Sequence, residues 1–210
     1  MTDDESIDHV TPTGVFVARK SRSEIHRKGL WHDVFHCLII RKLTPASVVL
    51  QRRSASAKSF PNQLDLSATG HLRSGESPRH GVRELREELG VNVVGSALTS
   101  LGTRLLADDK GEGLNRERVH VFFLADDRPL TEFSPDPSEV QSLLEIPVAK
   151  LLLVLNKPGY QASAEEWRPG HDPTNVTIGK EQLVTAVDGY WNVLLVMADR
   201  FCRGEEPLSI

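Results

Sequence analysis

Short apolar runs separated by turn-forming residues organise most of this chain. Residues 14–18 (Gly-Val-Phe-Val-Ala) read as a short strand after a Thr-Pro-Thr-Gly turn. Residues 34–40 and 47–52 are rich in β-branched and other apolar side chains, and Thr44-Pro45-Ala46 between them predicts a hairpin connection. A further extended segment is expected over 64–69. Ser77-Pro78 then opens a helix, Ser77 as N-cap and Pro78 at the first position, where a missing N–H costs nothing. That helix runs to about Leu89, and Gly90 supplies the C-cap. Strands follow at 98–106 and 118–125, with Gly111-Glu112-Gly113 as an exposed loop between them. Residues 147–155 predict a helix. Residues 158–177, with three prolines and two glycines, predict irregular chain. Over 180–202 the apolar positions Leu183, Val187, Tyr190, Leu194 and Met197 recur at helical spacing, widened by Trp191 and Leu195. Strands, a helix, strands and then helices argue for a mixed sheet sandwiched by helices rather than a doubly wound fold.

The chain has 210 residues, enough for one domain with a sizeable core. Residues 1–12 read as an acidic, flexible tail. Residues 13–210 read as a single domain, with a helical extension from about residue 158. A net charge of −4 points to no nucleic-acid or membrane surface, and a phosphate site needs only a local cluster of cations. Cys37 and Cys202 lie too far apart for a metal or redox motif, and Cys37 in its apolar run reads as a buried free thiol. Neither a secretory signal nor a membrane-spanning run is apparent, so a cytoplasmic setting is the expectation.

The informative stretch runs from Gly70 to Val91. On a helix, Glu84, Glu87 and Glu88 stand at i, i+3 and i+4 and share one face, while Leu85 and Leu89 line a neighbouring one. Crowded carboxylates repel one another unless a hard, oxygen-seeking cation such as Mg2+ or Mn2+ sits among them. The bland alternative is a solvated acidic face balanced by Arg79, Arg83 and Arg86. Gly70 and Gly75, which bracket the preceding loop, favour the metal, because glycine lets backbone approach a ligand closely.

These residues resemble the Nudix signature: Gly, five residues, Glu, seven residues, then Arg-Glu-apolar-x-Glu-Glu-x-Gly-apolar. Gly70, Glu76, Arg83, Glu84, Leu85, Glu87, Glu88, Gly90 and Val91 match in type. One residue is missing, since six rather than seven separate Glu76 from Arg83, which puts the contact between those two in question. The resemblance implies an α/β (α+β) fold, a Nudix-type α/β/α sandwich with a mixed β-sheet, over roughly residues 14–155. It implies divalent metal on Glu84, Glu87, Glu88 and the Gly70 carbonyl, with Arg83 orienting the carboxylates. The activity implied is hydrolysis of a pyrophosphate linkage in a small-molecule diphosphate. Glu117 is the leading candidate for an additional catalytic acid, and Glu139 the second.

A closer resemblance lies inside the first. Residues 25–36 (Ile-His-Arg-Lys-Gly-Leu-Trp-His-Asp-Val-Phe-His) followed by Gln51-Arg52-Arg53 look like the branch related to isopentenyl-diphosphate isomerase. There, histidines matching His26, His32 and His71 bind metal, and cations near Arg53 and Lys58 bind diphosphate. His36 is a further candidate, although a histidine beside apolar sequence is more often structural. Thr69 stands where the isomerase carries its acid/base cysteine and Asn115 where it carries a glutamate, so hydrolysis is favoured over isomerisation. A non-catalytic diphosphate-binding module would have lost a metal-binding carboxylate. The extension from residue 158, with Trp167, Tyr190 and Trp191, could cap the pocket, form a homodimer contact or pack the core, and core packing suits the last two best.

Overall fold

The computed structural model describes residues 5–108, 114–184 and 189–210. Eleven strands form one mixed sheet: β1 (Ser6–Val10), β2 (Phe16–Ser21), β3 (His32–Arg41), β4 (Ser47–Arg53), β5 (Leu64–Asp65), β6 (Ala68–His71), β7 (Thr99–Asp108), β8 (Asn115–Ala125), β9 (Val140–Pro147), β10 (Ala162–Trp167) and β11 (Thr174–Ile178). The helices are α1 (Arg22–Lys28), α2 (Val82–Leu89), α3 (Val148–Asn156) and α4 (Tyr190–Cys202). Strand β3 is central. It pairs antiparallel with β1, β4 and β6 and parallel with β8, so the sheet is mixed.

The period of two along a strand sorts side chains to two faces. Leu38 and Ile40 of β3, with Val119, Val121 and Phe123 of β8, pack against α3 and α4. Phe35, Cys37 and Ile39, with Phe122 and Leu124, pack against Leu85 and Leu89 of α2. Helices on both faces make an α/β/α sandwich, as the residue pattern predicts. Cys37 is fully buried and unpaired, and its thiol pKa is raised by burial.

Several expectations need correction. Residues 6–10, read as part of a flexible tail, form β1, with Ile7 fully buried; the alternation of Ile7, Asp8, His9 and Val10 was masked by the surrounding acids. The segment 158–177 is not irregular: its prolines and glycines fall outside β10 and β11, which contain neither. The expected strand over 64–69 divides into β5 and β6. The helix expected from residue 180 begins at Tyr190, after a 3-10 turn over Lys180–Gln182. Gly111, Glu112, Gly113 and Val187 lie outside the described residues.

Two contacts fix the functional layers to the sheet. A Cβ at Gly81, at the start of α2, would collide with the Phe35 ring, so the helix docks only through a glycine. Gly81→Ala is expected to cost about 1–3 kcal/mol by overpacking; an unchanged urea midpoint would contradict this. On the opposite face His36 Nδ1 shares a hydrogen bond with the Tyr190 hydroxyl (3.1 Å), tying α4 to β3. Burial, then the Arg104 charge, lower the His36 pKa from 6.5 to about 3. Between those values the unfolded chain holds a proton there that the folded chain lacks, so this contribution is lost as pH falls. The stability lead of the wild type over His36→Gln should therefore shrink between pH 7 and 4.5, whereas a pH-independent difference in urea midpoints would refute the assignment.

Candidate metal and phosphate site

The signature loop enters its helix through a 3-10 turn, Pro78–Gly81, after Ser77. The Ser77 N–H donates to His80 Nδ1 (2.9 Å). A 3-10 turn rises about 2.0 Å per residue against about 1.5 Å in an α-helix. Four residues wound this way cover nearly the length of five in an α-helix, which offsets the residue missing from the signature. Glu76 accordingly reaches Arg83: Nε donates to Oε1 at 3.1 Å and Nη2 to Oε2 at 3.3 Å. Gly90 ends α2 at φ 69°, a left-handed cap.

Arg83 gathers the site. Besides Glu76 it donates to Glu87 Oε2 (2.6 Å) and to the His71 carbonyl (3.2 Å), and it lies 2.9 Å from Glu84 Oε1. Glu84 is buried because β6 leaves room for it; a Cβ at Gly70 would strike its carboxylate. Burial, partly countered by Arg83, raises the Glu84 pKa to about 7. Among the described residues, buried Glu88 accepts from neutral groups, Gln51 Nε2 (3.1 Å) and the Thr69 N–H (3.3 Å). Burial and then the charges of Glu84 and Glu139 push its pKa well above 4.5. Buried carboxylates crowded in this way are costly as anions unless a cation joins them. The carboxylates of Glu84, Glu87 and Glu88 and the Gly70 carbonyl are oxygen donors of the type a hard divalent ion takes.

The other candidate acids separate. Glu139 stands close enough to Glu88 and Glu87 for charge coupling, and its own pKa is raised by burial and by Asp136. Glu117, the favoured candidate from sequence, pairs in register with His32 and accepts from Asn115 Nδ2 (2.8 Å). It keeps company with the histidines rather than with the α2 acids.

Those histidines converge. The ligand nitrogens of His26, His32 and His71 lie within 4.8 Å of one another, and His26 Nε2 is 2.9 Å from His71 Nε2. His32 Nδ1 meets the Leu30 carbonyl at 2.9 Å, which makes it the protonated nitrogen and leaves Nε2 as a lone pair. That Nε2 is buried and has no hydrogen-bond partner among the described residues. Burial lowers all three pKa values, His26 to about 4, so the rings are neutral and able to ligate. The set fits a nitrogen-seeking transition metal. His36 joins none of this and bonds Tyr190 instead.

Of the expected phosphate ligands, Arg53 is held by the Ser59 carbonyl (3.0 Å) and by Asp65 (3.1 Å), while Lys58 is exposed in the loop after β4. Sequence reasoning missed Asp65, whose charge raises the pKa of both Glu88 and Glu117. It also missed Gln51, which holds Glu88, and Arg22, whose charge acts on all three histidines. Helix α1, which carries Arg22 and His26, was detectable: Ser21 and Gly29 bracket it, with Glu24 in the first turn and bases in the last. Trp167, Tyr190 and Trp191 are all buried, in keeping with a packing role.

The sequence matches the NUDIX domain over residues 30–167. It is 28% identical over 198 residues to an uncharacterised Nudix hydrolase of Clostridium acetobutylicum, covering 92% of this chain and 96% of that one. It is 31% identical over 119 residues to an isopentenyl-diphosphate Delta-isomerase of Cereibacter sphaeroides, covering 56% of this chain and 64% of that protein. Its fold is similar to that of the Deinococcus radiodurans protein DR0079, with a TM-score of 0.57 and 23% identity over 73% of this chain and 90% of that one. With the glutamate helix intact and the domain matched across most of the sheet, the chain belongs to the Nudix family and is a hydrolase.

Proposed function

We propose that the protein cleaves the pyrophosphate linkage of a nucleoside diphosphate or another X-linked diphosphate, with Mg2+ or Mn2+ held by the Gly70 carbonyl, Glu84, Glu87 and Glu88. The observation that carries this reading is the crowding of buried Glu84 and Glu88 beside Glu139, which a bound divalent cation would relieve without protonating them. A bound divalent ion supplies a Lewis acid for the phosphoryl oxygens and a more acidic water. The chain's own part is positioning. Arg83 locks Glu84 and Glu87 against the loop, Gln51 and the Thr69 N–H hold Glu88, and Arg53 and Lys58 meet the diphosphate.

The isomerase alternative requires proton transfer at carbon beside His71. Thr69 is the neighbouring residue on β6, and its hydroxyl is no acid/base at neutral pH. The wall on that face is polar: Arg104 lies over the Tyr190 ring at 4.2 Å and Tyr190 bonds His36. Such a wall suits a polar X group better than a hydrocarbon.

With magnesium and a panel of nucleoside diphosphates, dinucleotides and isoprenoid diphosphates, hydrolysis of the pyrophosphate linkage, read as monophosphate products, is expected from at least one polar member. Glu87→Gln should lower it about 10²-fold or more. Ligand binding in calorimetry without turnover would instead favour a binding module, and deuterium uptake from D2O into isopentenyl diphosphate would favour the isomerase.

The histidine cluster would hold a second ion of nitrogen-seeking type, a reading favoured by the orphaned Nε2 of His32. His32→Gln should reduce the Zn2+ bound per chain by one. An unchanged stoichiometry would assign the cluster a structural role.

A further inference from the structure

Strand β1 contributes no residue to the signature, yet it is fastened along the signature loop. The Ser74 N–H donates to the Ser6 carbonyl (2.8 Å), and Ile7 bridges to Arg73. The Asp8 carboxylate accepts from the Ser74 hydroxyl with one oxygen (2.5 Å) and from the Gly75 N–H with the other (2.9 Å). Arg73 Nε donates to Glu5 (3.1 Å) while its Nη2 lies 3.3 Å from Glu87 Oε2.

Gly75 turns the loop at φ 82°. Inside the turn the Glu76 N–H donates to the Arg73 carbonyl (2.9 Å) and the Arg73 N–H to Glu76 Oε2 (2.8 Å). Glycine enters and leaves that region about equally readily, and Asp8 is the side chain that pins the turn from outside, at Ser74 and Gly75. The residue after the turn is Glu76, which takes the Arg83 guanidinium, and Arg83 in turn holds Glu84 and Glu87. From Asp8 the chain of bonds therefore runs through one turn to the arginine that orients the helix carboxylates.

We propose that Asp8 is a positioning residue for the divalent-cation site: by clamping Ser74 and Gly75 it keeps Glu76 on Arg83 and thereby sets the geometry of Glu84 and Glu87. This rests on the reading of those glutamates as metal ligands. Groups that orient the ligands of a metal commonly change its affinity about 10–100-fold when removed. A mere strap would change folding stability and leave affinity alone. The strand does not need Asp8 in order to dock, because Ile7 is fully buried and β1 pairs with β2 from Ser6 to Val10.

The test is calorimetric titration of Mg2+, which disfavours the nitrogen ligands of the histidine cluster, into full-length wild type, Asp8→Ala, Asp8→Asn and Asp199→Ala. Asp199, on α4, is ion-paired with Arg203 (2.8 Å) away from the loop. Thermal midpoints are recorded alongside, and all titrations are run well below them. Asp8→Ala should bind Mg2+ about tenfold more weakly or worse. Asp8→Asn should fall between it and the wild type, because the amide oxygen still accepts from Gly75. Asp199→Ala should bind like the wild type. Wild-type affinity in Asp8→Ala, or an equal loss in Asp199→Ala, overturns the proposal. Should Asp8→Ala fail to fold, Asp8→Asn decides, weaker binding supporting the proposal and wild-type affinity overturning it. A wild type that binds no Mg2+ would remove the metal-site reading itself, and this inference with it.

Discussion

The guanidinium of Arg83 joins the signature loop to the helix that follows it. It meets Glu76 on the loop, Glu84 and Glu87 on its own helix, and the carbonyl of His71 at the end of β6. Arginine suits this place because its planar fork offers several donors in fixed directions and keeps its charge when partly buried. The carboxylates around it raise its pKa further. Without that charge the loop, strand and helix would bring acids together with nothing to orient them. The remaining contacts, the Gly70 cradle and the Gly81–Phe35 fit, serve to bring β6 and α2 near enough for one side chain to reach all of its partners.

The sheet separates two chemistries. Glutamate oxygens approach from the α2 side, where Gly70 leaves a gap, while the imidazoles of His26, His32 and His71 gather at β3 and β6 with Glu117 in register. The charge of Asp65 acts on Glu88 and Glu117 alike. An oxygen-rich set and a nitrogen-rich set side by side would sort ions by hardness rather than by overall affinity. On the α4 side Arg104 lies over the Tyr190 ring and the Tyr190 hydroxyl bonds His36.

The signature helix was legible in the residues because its information is local: spacing at i, i+3 and i+4, a serine-proline start and a glycine stop. The central strands β3 and β4 were legible for the same reason, as uninterrupted apolar runs. What escaped depended on distant partners. Ile7 and Val10 looked like part of an acidic tail until β2 and β3 paired with them. Strands β10 and β11 hid between prolines that in fact mark their ends. Glu117 outranked Glu139 on strand context, yet the register of β8 takes Glu117 to the histidines, and the turn before β9 takes Glu139 to the helix. Spacing also made the Glu76–Arg83 contact look doubtful, because a residue count does not reveal that the intervening turn is a 3-10 turn.

In the proposed site the α2 carboxylates, oriented by Arg83, and the Gly70 carbonyl surround a divalent cation. Anomalous diffraction from crystals grown with Mn2+ tests this directly. A manganese peak bounded by Gly70, Glu84, Glu87 and Glu88 is expected, with Arg83 still bonded to Glu76. Manganese confined to the histidine cluster, with Arg83 bonded to all of its present acids and no peak beside α2, would contradict it.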